Sequence, residues 1–62
     1  MVFSLRIDGT EVESEGSILD AVESLGKNPD SYLYLQDGVP VPMDTEPQNG
    51  QKINAVRVAS GG

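Results

Sequence analysis

The sequence contains no cysteine, no histidine and no tryptophan. Without cysteine, a chain can form neither a disulfide framework nor a thiolate metal site. Without histidine, it lacks the commonest general base and the commonest zinc ligand. These absences argue most strongly against a small hydrolase. We predict that the chain is not an enzyme, holds no metal and binds no cofactor, and that a partner catalyses any chemistry it undergoes.

Basic residues are also scarce, since four of them stand against ten acidic residues and give a formal net charge of −6. Nucleic-acid binding needs cations that displace counterions from phosphates, so this balance opposes it. No long apolar run is present, and the alternating opening "MVFSLRIDGT" is typical of neither a signal peptide nor a membrane span. We expect a cytoplasmic protein that is monomeric when free, contacts neither membranes nor nucleic acid, and binds partners with positive surfaces.

The chain has 62 residues, of which 37% are hydrophobic, and this is enough for one domain with a small core. In the first segment, "VFSLRI", Phe3, Leu5 and Ile7 alternate with polar residues, which predicts a strand with one buried face. The "DGT" that follows is a strong hairpin signal. The returning "EVESE" offers only Val12 to the core, as expected of a polar strand at a sheet edge.

The next segment, "GSILDAVESLGKNP", has the period of a helix. Ser17 is predicted to cap its first amides, Gly26 to end it in the left-handed conformation, and Pro29 to prevent its continuation. The apolar positions expected to share one face are Ile18, Leu19, Val22 and Leu25.

The second half of the chain contains strands and turns. "SYLYLQ" lacks clean alternation, which favours a central strand covered on both faces. A second Asp-Gly turn follows, and the prolines of "VPVP" predict an edge strand or an extended loop. "MDTEPQNGQ" reads as a loop and "KINAVRVA" as the last strand. We therefore predict an α+β domain in which one helix packs on a mixed sheet of four to five strands.

The last strand carries apolar residues in both registers. We expect Ile53 and Ala55 to face the core, against Val22 and Leu25 on the helix. Val56 and Val58 would then point outward and form an exposed apolar patch with Leu33 or Leu35. The alternative is that both registers are simply packed.

This order of elements, ending in Gly61 and Gly62, resembles the ubiquitin-like β-grasp family, and is most similar to the small archaeal modifier proteins. The related sulfur carriers of thiamine and molybdopterin synthesis and the eukaryotic ubiquitin-related modifier share the resemblance. The matching stretches are "SILDAVESLG", "YLYLQDGVPVPMDT" and "NGQKINAVRVASGG". "QNGQ" departs from the acidic "DGD"-like turn of many members. The resemblance implies a β-grasp domain over 1–59 and a flexible tail over 60–62.

The resemblance also implies a function for the tail. A ubiquitin-activating-type partner would use ATP to adenylate the Gly62 carboxylate, and Gly61 and Gly62 would fit the narrow adenylation site because glycine lacks a Cβ. The sulfur would come from the partner or a sulfurtransferase, since this chain has no cysteine. The product would be a thiocarboxylate or an isopeptide bond to lysines of target proteins. The residues expected to form the tail and the patch that docks on the partner are Ser60, Val58, Val56, Leu35 and Leu33.

Alternatives remain at several positions. The domain could instead be a non-catalytic adaptor that binds a partner through its sheet, with Gly-Gly as an expression scar or a frayed end. Protein tagging and sulfur delivery are both open. Lys27 and Lys52, the only lysines, are candidate isopeptide acceptors or merely solubilising.

The acidic side chains have mainly structural interpretations. Glu11, Glu13 and Glu15 share one strand face, where a solvated edge is expected over a cation site. The aspartates at or near turns are expected to cap the local backbone, and they are Asp8, Asp37 and Asp44.

Overall fold

The computed structural model describes residues 1–58, which fold as one α-helix, one 3₁₀ turn and five strands. In chain order these are β1 (Val2–Ile7), β2 (Thr10–Glu15), α1 (Ile18–Ser24), the 3₁₀ turn (Pro29–Ser31), β3 (Tyr32–Gln36), β4 (Val39–Val41) and β5 (Lys52–Arg57). The predicted α+β class is confirmed. The predicted boundary between a domain over 1–59 and a tail over 60–62 lies outside the described residues.

All five strands belong to one mixed sheet in the order β2-β1-β5-β3-β4. Strands β1 and β5 run parallel, whereas β1/β2, β3/β5 and β3/β4 are antiparallel pairs. The polar strand β2 and the short proline-containing strand β4 form the two edges, as the sequence predicts.

Both Asp-Gly pairs form two-residue hairpin turns. Asp8 and Gly9 have φ angles of 51° and 76°, and Asp37 and Gly38 have φ angles of 53° and 79°. Positive φ at both central residues is the requirement of a type I′ turn, which glycine and aspartate meet at low cost. The hairpin prediction is confirmed at both places.

Helix α1 is held at its start by a side chain and by a loop. The Ser17 hydroxyl accepts a hydrogen bond from the Asp20 backbone N–H at 3.1 Å. The N–H groups of Ile18 and Leu19 donate to carbonyls of the loop after β4, at 3.0 and 2.8 Å, so three of the otherwise unpaired first amides have partners. Gly26 follows the helix with φ 76°, as predicted. Within residues 1–58, no helix has the length and apolar character needed to cross a membrane.

The core lies between α1 and one face of the sheet, here called the inner face. The predicted alternation of β1 is confirmed, and so is the predicted inward register of β5. The buried residues are Phe3, Leu5, Ile7, Ile18, Ala21, Val22, Tyr32, Tyr34, Ile53 and Ala55. Val12, Val41 and Met43 pack against this cluster at its margins.

Two predictions about the core are wrong. Leu25 is exposed, because α1 ends at Ser24 and Leu25 is its C-cap. Strand β3 is covered on one face only: Tyr32 and Tyr34 are buried, and Leu33 between them is exposed. The tyrosines can face the core because their rings lie inside while their hydroxyls find partners at the rim.

Candidate functional site

Gly61 and Gly62, which are predicted to carry the chemistry, and Ser60, which is predicted to belong to the docking patch, lie outside the described residues. The structure does describe the strand that leads toward them. Strand β5 ends at Arg57, and the N–H of Val58 still donates to the carbonyl of Ser31, the last residue of the 3₁₀ turn, at 3.0 Å. The candidate site is therefore the end of β5 together with the sheet surface around it.

The face of the sheet opposite α1, here called the outer face, carries an apolar patch on β3 and β5. We call Leu33, Leu35, Val56 and Val58 the outer apolar patch. Leu33 and Val56 are paired directly across the two strands and are 43% and 41% exposed. Val58 is 39% exposed and Leu35 is half-buried. Exposed apolar side chains that lie together are typical of interaction surfaces, so the predicted outward register places four candidate docking residues on one face.

The opposite half of the outer face is acidic. Glu11, Glu13 and Glu15 are all exposed and lie on the same side of the edge strand β2. Within residues 1–58, no three potential ligands among His, Cys, Asp and Glu are grouped so as to hold a metal ion. The three glutamates therefore form a solvated face of the edge strand, which charges protect from unwanted strand pairing.

Between these two halves lies an open concavity of about 340 Å³ on the outer face. Two of the chain's four cationic side chains, Arg6 and Lys52, line it. The carboxylates of Glu11 and Asp37 line it too, together with the polar side chain of Asn54. The concavity thus mixes both signs of charge with uncharged polar groups.

A second cluster lies at the end of β1, where three donors meet the Asp8 carboxylate. Lys27 Nζ lies 2.8 Å from Asp8 Oδ2, and the Tyr32 hydroxyl donates to the same oxygen at 2.7 Å. Arg57 Nη2 lies 3.4 Å from Asp8 Oδ1. The Arg57 guanidinium also sits over the Tyr32 ring, 5.3 Å from its centroid, a distance typical of a cation–π contact.

These contacts fix the charges of the cluster near neutral pH. The hydrogen bonds from Lys27 and then Tyr32 lower the pKa of the Asp8 carboxyl to about 2. The hydrogen bond to Asp8 raises the pKa of Lys27, and the same carboxylate, followed by burial, raises the pKa of Tyr32. Asp8 is therefore ionised while Lys27 stays protonated.

The cluster ties together parts of the chain that are far apart in sequence. Asp8 belongs to the β1–β2 turn, Lys27 follows α1, Tyr32 opens β3, and Arg57 ends β5. Because Arg57 is the last residue of β5, the contact anchors the strand end that leads toward Gly61 and Gly62.

Sequence reasoning missed this cluster. Asp8 was expected to cap its local backbone, but its carboxylate bonds side chains 19, 24 and 49 positions away. No local spacing signals such contacts. The sequence offers one hint that the Asp8 charge has a role. Asparagine would serve the backbone of the predicted turn equally well, yet the residue is an aspartate.

The two predicted lysine acceptors are not brought together. Lys27 lies in the Asp8 cluster, on the side of the helix, whereas Lys52 lies on the outer face beside β1. They therefore offer two chemically different amines.

Comparison with known proteins gives one informative relative. An uncharacterized protein of Archaeoglobus fulgidus is 42% identical to this chain over 53 residues, which is 84% of this chain and 78% of the relative. No protein-family model matches the chain.

Proposed function

The chain belongs to the same family as the uncharacterized protein of Archaeoglobus fulgidus, and we propose that it is a ubiquitin-like modifier or sulfur carrier of the β-grasp type. Its working group is the carboxylate of Gly62. The protein acts in the cytoplasm and is not an enzyme. A ubiquitin-activating-type partner adenylates the carboxylate with ATP, and a sulfurtransferase is a second partner where sulfur is delivered.

The β-grasp assignment is supported by the element order. A hairpin of β1 and β2 precedes the helix, and the last strand, β5, inserts beside β1 in parallel. Helix α1 covers one face of the five-stranded sheet and leaves the outer apolar patch exposed. This arrangement resembles the small archaeal modifier proteins and the sulfur carriers.

The observation that carries the proposal is the position of the glycine pair. Gly61 and Gly62 follow Arg57, the last residue of β5, after three intervening residues. The strand end is anchored through Arg57 and Asp8, and the outer apolar patch runs along the same strand. A partner docked on that patch would meet the glycine pair a few residues away.

Glycine suits the proposed reaction because a carboxylate must be activated in a narrow site. ATP converts it to an acyl-adenylate with release of pyrophosphate, and a sulfur nucleophile then displaces AMP. Neither Gly61 nor Gly62 has a Cβ to crowd the phosphorus or the sulfur. The acyl group ends as a thiocarboxylate or passes to a lysine amine as an isopeptide bond.

Intact mass spectrometry of the protein from its native host, under denaturing conditions, tests the proposal. A parallel sample is incubated with ATP and host extract. Exchange of one terminal oxygen for sulfur supports the carrier role, and species joined through Gly62 to lysines support tagging. The same spectrum checks that Gly62 carries a free carboxylate in the mature protein.

Two variants act as controls. One lacks Gly61 and Gly62, and the other keeps both but carries an added alanine after Gly62, which displaces the carboxylate. Both should fold and neither should be modified. An unmodified wild-type terminus in every sample, with the host's adenylating enzyme present and active, would overturn the proposal.

The outer apolar patch favours a second candidate, an adaptor that binds a partner through its sheet. For an adaptor, removal of Gly61 and Gly62 leaves binding unchanged, while a charge in the patch, such as Val56→Asp, abolishes it. For a modifier, the same removal abolishes modification. The truncated variant therefore separates the two functions.

A further inference from the structure

The two lysines of the sequence have opposite environments. Lys27 Nζ forms an ion pair with Asp8 Oδ2 at 2.8 Å, and its side chain is 35% exposed. Lys52 is the first residue of β5, is exposed, and pairs in register with Ser4 of β1. Among residues 1–58, no hydrogen bond or ion pair reaches Lys52 Nζ.

The Asp8 carboxylate has further partners besides Lys27. It also accepts the Tyr32 hydroxyl at 2.7 Å and lies 3.4 Å from Arg57 Nη2. The backbone of Asp8 is fixed in the type I′ turn, with φ 51°. The partner of Lys27 is thus held from three directions.

Acylation of a lysine requires the neutral amine, because the nitrogen lone pair attacks the acyl carbon. The hydrogen bond to Asp8 raises the pKa of Lys27 and so lowers the fraction of neutral amine near neutral pH. Attack by Lys27 would also break the ion pair and leave the Asp8 carboxylate without one of its three donors. Among residues 1–58, attack by Lys52 breaks no such ion pair.

We infer that Lys52 is the side chain of this protein that accepts acyl groups, and that the contact with Asp8 withholds Lys27 from acylation. The inference rests on the proposed function only for its natural acyl donor, a thioester or an acyl-adenylate. In the step itself a C–N bond forms, the C–S or C–O bond to the leaving group breaks, and the amine proton passes to solvent.

The surroundings of Lys52 suit an incoming acyl donor. Lys52 lines the open concavity of about 340 Å³ on the outer face, so a thioester can approach from solvent. Ser4 and Asn54 line the same concavity, and a serine hydroxyl and an asparagine amide can hydrogen-bond an extended peptide. The charged groups beside Lys52 there are Arg6, Glu11 and Asp37.

Competitive acetylation of the native protein tests the inference without any activating enzyme. The protein is treated with limiting acetyl N-hydroxysuccinimide ester, and both sites are quantified by mass spectrometry of Asp-N peptides, which separate Lys27 from Lys52. Lys52 should react several-fold faster than Lys27, since an exposed ion pair worth up to about 1 kcal/mol slows the attack by up to about fivefold. In concentrated urea the two rates should become equal. Equal rates in the native protein would overturn the inference.

A pair of matched variants identifies the cause. Asp8→Asn removes the charge that holds Lys27 and should raise its acetylation toward that of Lys52. Asp44→Asn removes the charge of an exposed aspartate that lines neither the open concavity nor the Asp8 cluster, and it should leave the ratio unchanged. If Lys27 stays slow in folded Asp8→Asn protein, the stated role of Asp8 is wrong.

A second experiment, with the activating enzyme present, distinguishes a failure of this inference from a failure of the proposed function. With ATP and host extract, Lys52→Arg should remove species in which one copy is joined to another, whereas Lys27→Arg should keep them. Conjugates to other proteins should persist in both. Self-linked species that map to Lys27 would overturn the inference alone. If no thiocarboxylate or conjugate forms at all, the proposed function fails, and the acetylation ratio still decides between the lysines.

Discussion

The Tyr32 hydroxyl donates a hydrogen bond to Asp8 Oδ2 over 2.7 Å, and this contact joins the first turn of the sheet to its third strand. Tyr32 also pairs in register with Arg57, whose Nη2 lies 3.2 Å from the same hydroxyl. One buried ring therefore positions both the anion and a cation of the cluster at the end of β5. The stability of this end of the sheet should depend on the charge of Asp8.

Replacement of Asp8 by asparagine should destabilise the protein at neutral pH but not in strong acid. The carboxyl pKa falls from the usual 3.8 to about 2 in the folded protein, so between these values the unfolded chain binds more protons. The stabilisation is thus complete above about pH 4 and is lost as the pH falls through about 2. Urea midpoints of the wild type and Asp8→Asn, measured across this range, should converge at the acid end.

Asp37→Asn is the matched control for that experiment. Asp37 occupies the equivalent turn position with φ 53°, and no side-chain hydrogen bond to it is present among residues 1–58. Because asparagine also tolerates positive φ, both turns should survive. A loss of stability in Asp37→Asn as large as that in Asp8→Asn would show that the turn, and not the cluster, is responsible.

A charged side chain should destabilise the protein strongly at one position of β5 and only slightly at another, because the first faces the core and the second faces solvent. Ile53 is 1% exposed and Val56 is 41% exposed. Ile53→Asp loses an apolar side chain worth about 2–5 kcal/mol and also buries an unpaired carboxylate, so we expect it not to fold. Val56→Asp should fold with a loss of about 1 kcal/mol or less. Circular dichroism during urea titration measures both.

Val56→Asp, compared with a second surface variant, tests whether partners bind the outer face. Val56→Asp should abolish binding to an adenylating enzyme while the fold remains. Val39→Asp is the control, since Val39 is 60% exposed on the edge strand β4, outside the outer apolar patch. If Val39→Asp abolishes binding and Val56→Asp does not, the partner docks on the sheet edge.

Most of the fold could be predicted because its signals are local. Asp-Gly pairs require positive φ and mark both hairpins, and the alternation of β1 identifies its buried face without knowledge of any partner strand. The predicted register of β5 is also confirmed: Ile53 and Ala55 are buried and Val56 is exposed, although both sets of side chains are apolar.

The failure at β3 and the missed Asp8 cluster both depend on where polar side-chain groups find their partners. Leucine is more apolar than tyrosine, yet Tyr32 and Tyr34 face the core and Leu33 faces solvent. The choice depends on where the hydroxyls end: that of Tyr32 reaches Asp8, and that of Tyr34 reaches a backbone carbonyl of the 3₁₀ turn at 2.7 Å. The difference between Lys27 and Lys52 is hidden for the same reason, because it depends on an aspartate 19 positions from Lys27.

Replacement of Gly38 by alanine should lower the free energy of unfolding because of the backbone conformation alone. A Cβ at this position would meet no atom within 4 Å, so there is no steric clash with neighbours. Its φ of 79° is nevertheless costly for a residue with a Cβ, by about 1–2 kcal/mol. Gly38→Ala should therefore lower the free energy of unfolding by that amount, and Gly38→Asn by less. Equal losses in the two variants, measured by urea titration, would contradict this explanation.

The hydroxyl of Ser17 should stabilise helix α1 through a single hydrogen bond. Ser17→Ala leaves the Asp20 N–H without its partner, while Ile18 and Leu19 keep theirs in the loop after β4. Loss of such a cap costs about 1 kcal/mol, which lowers the melting temperature of a domain of this size by roughly 4–8 °C. Differential scanning calorimetry measures the shift.

Ser24→Ala is the comparison that isolates the cap. The Ser24 hydroxyl donates to the Ala21 carbonyl at 2.8 Å at the opposite end of the helix, so it takes no part in the helix start. Alanine has the higher helix propensity, so the change should stay within about 0.5 kcal/mol. If Ser17→Ala lowers the melting temperature no more than Ser24→Ala does, the helix start does not depend on the Ser17 hydroxyl. The loop carbonyls that bond Ile18 and Leu19 would then be what positions α1 over the sheet.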